Sequence, residues 1–158
     1  MPIPKKIINF LEKNKVKYQT IEHRTVYTAF DKAKTLRLPE KNIGKTLLMT
    51  VDKSLALVLI PANKNLDKNK LKKISKAKKI DFATEKLIKN KIKGVKVGAV
   101  PPFGSLWKLP TFLDKSLIKE PKVILNGGNY NFSIQIKTKD LIKLMPESIS
   151  GSFTKSKK

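Results

Sequence analysis

Two apolar, β-rich runs at residues 46–51 and 55–60 are separated by only Asp52-Lys53-Ser54. Both runs have strand length and are rich in residues that favour strands, and the three polar residues between them read as a turn, so the two runs are expected to form a hairpin. The second run, Leu55-Ala56-Leu57-Val58-Leu59-Ile60, is apolar without alternation. A run so apolar reads as core, in a sheet with helices packed outside.

The flanking segments supply those helices. Ile7, Ile8 and Leu11 recur at helical spacing, with Phe10 beside them and Asn14-Lys15 as a polar stop. Residues 16–21 alternate at the strand period. Thr28 is placed to cap a helix over 29–36, with Asp31 in its first turn. Asp67 can cap a lysine-rich helix that runs to about Lys76, and Thr84 opens another over 84–90. Val95-Lys96-Val97 reads as a short strand before the Pro/Gly-punctuated loop of residues 98–104. Residues 122–126 and 132–137 read as a strand pair around Gly127-Gly128, followed by a helix over 139–145 with Thr138 as its cap. Strands that follow one another directly argue against a regular doubly wound sheet. The expected class is mixed α/β, a compact curved mixed β-sheet with helices packed outside. Residues 1–147 are read as a single domain, and 148–158 as a basic, flexible tail.

Composition restricts the chemistry. A chain of 158 residues can bury roughly 70% of its unfolded surface without covalent staples. It has no cysteine, and His23 is its only histidine, which disfavours thiolate chemistry, zinc sites and disulfides. The start, Met1-Pro2-Ile3-Pro4-Lys5-Lys6, lacks an apolar leader, and no run approaches the ~20 apolar residues of a membrane span. The expected location is the cytoplasm, with no membrane partner.

The formal net charge is +23, from 35 basic and 12 acidic residues. Such a field attracts polyanions, although only Arg24 and Arg37 are arginines, which suits backbone tracking better than base reading. Codon bias toward lysine is the other source of such an excess. Twelve lysines against three acids between Lys64 and Lys93 mark the strongest basic stretch.

Within the first apolar run's approach, Gly44-Lys45-Thr46 resembles the end of a phosphate-binding P-loop. That motif needs a glycine where this chain has Pro39, and so it fails. A lysine at a strand end and a glycine-rich loop at 98–104 remain as a site for an anionic or carbonyl-bearing ligand, with loop amides as fixed donors. The alternative is that Lys45 extends its ammonium to water from a strand end and the loop is a tight turn.

An ordered set of short motifs resembles the YbaK/ProX-type aminoacyl-tRNA deacylases, relatives of the editing domain of bacterial prolyl-tRNA synthetases. The motifs are Thr20-Ile21-Glu22-His23, Thr28-Ala29-Phe30, Gly44-Lys45-Thr46-Leu47, Val97-Gly98-Ala99-Val100-Pro101-Pro102-Phe103-Gly104, Leu109-Pro110-Thr111-Phe112-Leu113-Asp114 and Asn126-Gly127-Gly128. The resemblance implies a trans-editing hydrolase that needs no metal or cofactor and cleaves the ester of a mischarged tRNA of the Cys-tRNA(Pro) or Ala-tRNA(Pro) type. It implies Lys45 and Gly98 as catalytic residues, with Pro102 completing the Gly-x-x-x-Pro loop. Substrate contacts are implied at Thr46, Phe30, Thr28, His23, Ile21, Pro101, Pro102, Gly127, Gly128 and Ser133. The implied partners are the acceptor end of tRNA(Pro) and prolyl-tRNA synthetase. Cysteine-specific members carry tyrosine and aspartate where this chain has Ile21 and Ser133, which leaves the amino acid open. The alternative is a non-catalytic tRNA- or RNA-binding protein on the same fold.

Overall fold

The computed structural model describes residues 3–157. The hairpin forms as expected: β2 (Gly44–Val51) and β3 (Ser54–Pro61) pair antiparallel along their whole length, turning at Asp52, whose φ is 59°. On β3, Leu55 and Leu57 face a cluster with Ile88 and Val100, while Ala56, Val58 and Ile60 face one with Leu71 and Phe153. The unbroken apolar run thus reflects a strand buried on both faces.

Around the hairpin stands a five-stranded mixed sheet in the order β5-β2-β3-β6-β9, adding β5 (Ile80–Phe82), β6 (Thr111–Asp114) and β9 (Ile149–Gly151). A second, antiparallel sheet joins β1 (Tyr18–Glu22), β8 (Phe132–Lys137) and β7 (Lys122–Asn126) in the order β1-β8-β7. The parallel bridge between Ile43 and Ile124 links the two sheets. A third pair is β4 (Lys64–Leu66) with β10 (Thr154–Ser156). The chain is therefore mixed α/β as expected, but its strands divide into three sheets instead of one curved sheet.

The helices cover the sheet faces. α1 (Lys5–Lys13) and α6 (Thr138–Leu144) place Ile7, Leu11, Leu141 and Leu144 on Leu125, Ile134 and Ile136. α2 (Ala29–Leu36) starts where Thr28 Oγ1 accepts from the Asp31 amide at 3.1 Å, and packs Ala33 on Ile43, Ala62 and Ile124. α3 (Lys68–Ser75) is capped by Asp67 and α4 (Glu85–Lys91) by Thr84, as their sequences require. α5 (Lys115–Ile118) is one turn long.

Four expectations are corrected. Val95-Lys96-Val97 is no strand, because the chain turns through a 3-10 segment at Val97–Ala99. Thr138 lies inside α6 and donates its hydroxyl to the Glu120 carbonyl instead of capping the helix. Strands β4, β5 and β6, for which no strand was expected, form from runs of only three or four residues, too short to establish a strand period. Residues 148–157 are no flexible tail: β9 runs parallel to β6, and Phe153 is fully buried. Asp114 holds this segment, accepting from the Phe153 amide at 2.9 Å and the Thr154 hydroxyl at 3.0 Å.

Candidate functional site

β2 meets β5 only over Met49–Val51 and lies near β7 only at its start, by Gly44, so Lys45–Leu47 have no paired strand on that edge. The bare edge opens on a cavity of about 310 Å³. Gly44, Lys45, Thr46 and Leu47 all line it, because an edge exposes both faces of a strand to one space. Thr28, Phe30 and Lys32 enter from α2, Gly98 and Ala99 from the loop, and Asn126 and Tyr130 from the β7–β8 connection. Lys157, just beyond β10, completes the lining.

Burial lowers the pKa of Lys45 below the usual lysine value, and the charge of Lys157 lowers it further. Lys157 itself is paired, with its Nζ 3.5 Å from Glu40 Oε2. Thr46 Oγ1 is buried and has no hydrogen-bond partner among the described residues. A buried hydroxyl left so is costly unless a ligand or water completes it. The cavity also has an aromatic rim. Tyr27, 69% exposed, packs on Tyr130 with ring centroids 4.8 Å apart, and Phe30 is 50% exposed.

Gly98 sits close under the Tyr130 ring. A Cβ there would stand 3.0 Å from the Tyr130 ring, tighter than ordinary packing, and its amide already faces the Tyr130 hydroxyl at 3.4 Å. The loop does not offer an unbroken row of free amides. Ala99 donates to the Lys96 carbonyl at 2.9 Å and Gly104 to that of Pro102 at 3.1 Å, while Pro101 and Pro102 have no N–H.

The structure therefore gathers Thr28, Phe30, Lys45, Thr46 and Gly98 into one cavity and keeps the other expected residues out of its lining. Pro101 and Pro102 are buried within the loop. Gly128 supports the loop: it donates to the Ala99 carbonyl and accepts from Lys96, both at 2.9 Å, with a φ of +90°. Gly127 precedes it, close against the Phe132 carbonyl. Ile21 packs with Ala33, Ile43 and Ile124. Ser133 is fully buried, opposite both Ile21 and Asn126 in the sheet, and lies 2.9 Å from His23 Nε2. Because the Arg24 carbonyl only accepts, His23 Nδ1 carries the proton at 2.7 Å from it, and Nε2 receives the Ser133 hydroxyl. Burial above all lowers the His23 pKa; the Arg24 carbonyl opposes this and the Lys32 charge reinforces it.

Lys32, Tyr27, Tyr130, Asn126 and Lys157 are additional members of the lining. For Lys32 the signal is in the sequence: it falls at i+3 from Ala29 and i−4 from Leu36, on the apolar stripe of α2. Lys157 has no such signal, since only the fold carries the chain end back to the cavity. Among the described residues there is no group of three or more His, Cys, Asp or Glu that could hold a metal. No helix among them is long and apolar enough to cross a membrane.

A family model described as an aminoacyl-tRNA editing domain matches residues 23–144. Solved structures share the fold. Hypothetical protein APE2540 is 20% identical with a TM-score of 0.84, covering 95% of this chain and 99% of that one. A candidate trans-editing enzyme for prolyl tRNA synthetase is 23% identical with a TM-score of 0.83, covering 99% of each chain. A candidate signal transduction protein of Marinobacter aquaeolei VT8 is 17% identical with a TM-score of 0.73, but this chain covers only 30% of it. At these identities the likeness bears on the fold alone.

Proposed function

We propose, from the premise that this chain belongs to the aminoacyl-tRNA editing domain family, that it is a trans-editing deacylase that hydrolyses the ester between a wrongly attached amino acid and the 3′ end of a tRNA. The observation that carries this reading is the cavity itself, lined by the half-buried Lys45 and by Thr46, whose hydroxyl has no partner among the described residues. These are donors suited to an ester carbonyl that gains negative charge in the transition state, in a place partly withdrawn from water.

In the proposed reaction a water oxygen attacks the ester carbonyl carbon. The bond from that carbon to the ribose oxygen breaks, and the ribose oxygen takes up a proton. Lys45 and the Thr46 hydroxyl stabilise the carbonyl oxygen as charge develops there. Gly98 acts by allowing the loop to approach, with Tyr130 seated against it. Tyr27 and Phe30 give the terminal base an aromatic face, a type of contact that tolerates any sequence. Thr28 and Phe30 border the acyl group, while His23, Ile21 and Ser133 shape the sheet behind it and Pro101, Pro102, Gly127 and Gly128 hold the loop. No step calls for a metal or cofactor.

The basic stretch adjoins this site, since Ser156 pairs in register with Lys64 and the next residue, Lys157, lines the cavity. An acceptor stem laid along it would bring its end to Lys45. Prolyl tRNA is the proposed carrier, and prolyl-tRNA synthetase the proposed partner that releases it. Cysteinyl- and alanyl-tRNA(Pro) are the first esters to test. Lys45→Ala is expected to lower the deacylation rate ~10²–10³-fold. Equal rates for parent and variant would remove Lys45 from catalysis. Tight tRNA binding without hydrolysis of any ester would instead identify a non-catalytic binder.

A further inference from the structure

Three lysines line the cavity, and they are not equivalent. Lys157 has the Glu40 carboxylate. Lys45 is half-buried at a strand edge, where a phosphate or an ester carbonyl can reach it. Lys32 is only 6% exposed, and its Nζ donates to the neutral amide oxygen of Asn126 at 2.7 Å. Asn126 is fixed in turn by donating to the Val100 carbonyl at 3.1 Å, so it cannot turn away.

An ammonium has three protons to donate, and a buried charge is costly without a counter-ion. No carboxylate pairs with Lys32 among the described residues, and no Asp or Glu lines the cavity. Burial pushes its pKa down to about 8, which leaves most of it protonated at neutral pH. The other titratable group coupled to it, His23, is held neutral and supplies no negative charge. An apolar side chain would suit this face of α2, beside Ala29 and Ala33, far better.

We propose that Lys32 makes this cavity selective for aminoacyl esters whose side chain ends in a carboxylate, which would give the buried ammonium the counter-ion it lacks. The inference rests on the deacylase reading and narrows its acyl group; alanyl and cysteinyl esters then become the comparison substrates. Lys32 is on this view a specificity-determining residue, separate from the ester-polarising role of Lys45.

The probes are non-hydrolysable adenosines that carry aspartyl, asparaginyl or alanyl groups through a 3′-amide, titrated calorimetrically into the parent, Lys32→Met and Lys32→Gln. Aspartyl and asparaginyl differ by charge at nearly constant shape. The parent is expected to bind the aspartyl analogue at least about tenfold tighter than the asparaginyl one, and both variants to lose that preference. In the parent the preference should also fall between pH 7 and 9 as Lys32 loses its proton, a readout that survives if a variant fails to fold. Equal binding of the two analogues by the parent, or a preference kept in both variants, overturns the proposal. Matching mischarged tRNAs are assayed in parallel. A Lys32-dependent preference without hydrolysis would overturn the deacylase reading and keep this one; hydrolysis without the preference would do the reverse.

Discussion

At the scale of single residues, Lys32 couples the site to stability. Below about pH 8 the native and unfolded chains both hold its proton, and the native state bears the full cost of a buried ammonium. Between about 8 and the usual 10.5 the unfolded chain holds more protons than the native one, so native stability rises with pH across that window. The gain is on the order of 3 kcal/mol. Thermal unfolding of the parent and of Lys32→Met, followed from pH 7 to 10.5, should show the parent gaining on the variant as pH rises. Parallel profiles would mean that Lys32 is not a buried charge. Burial also lowers the Lys45 pKa, but Lys45 is present in both proteins and cancels in the comparison.

At the scale of elements, the C-terminal strands connect folding to the site. β9 extends the five-stranded sheet, Phe153 fills its core beside Leu71 and Phe112, and β10 delivers Lys157 to the cavity. Phe153→Ala removes a fully buried ring and should cost ~3–5 kcal/mol, read from the denaturant midpoint at unchanged slope. A loss below ~0.5 kcal/mol would show that residues 148–157 are not part of the core. The bare edge of β2 has a parallel importance. Had β5 run the full length of β2, it would occupy the space beside Lys45 and Thr46 on that edge.

At the scale of the whole molecule, the charge of +23 makes tRNA affinity a matter of ionic strength. Binding that engages about six phosphates or more should weaken by at least ~10³ between 50 and 200 mM salt. Removing the exposed Lys73 and Lys78 from the basic stretch should each flatten the log–log slope by about one, if the acceptor stem lies there. Slopes unchanged in both variants would move the stem to another face. The same field speeds capture of any RNA, so selection of the correct substrate falls to the cavity.

The elements with strong local signals were legible in the chain itself. Thr28, Asp67 and Thr84 cap helices because a side-chain oxygen satisfies a free amide at short range, and β2 and β3 pair because two apolar runs meet at a turn. The motif around Gly44-Lys45-Thr46 and the glycine at 98 were also visible, since each depends on what its own few residues permit. Short strands such as β6, β9 and β10 were not, because their stability comes from neighbours distant in the chain: Phe112 pairs with Ile149, and Asp114 fixes Phe153 and Thr154. The mixed α/β class, the helix starts at Thr28, Asp67 and Thr84, the central hairpin and the family could be read from the chain alone. That Lys45 and Thr46 share a cavity with Lys32, Tyr27 and Lys157, and that His23 and Ser133 fall outside its lining, depends on the tertiary arrangement. Burial, edge exposure and the absence of a counter-ion are properties of what surrounds a side chain, and no local pattern encodes them.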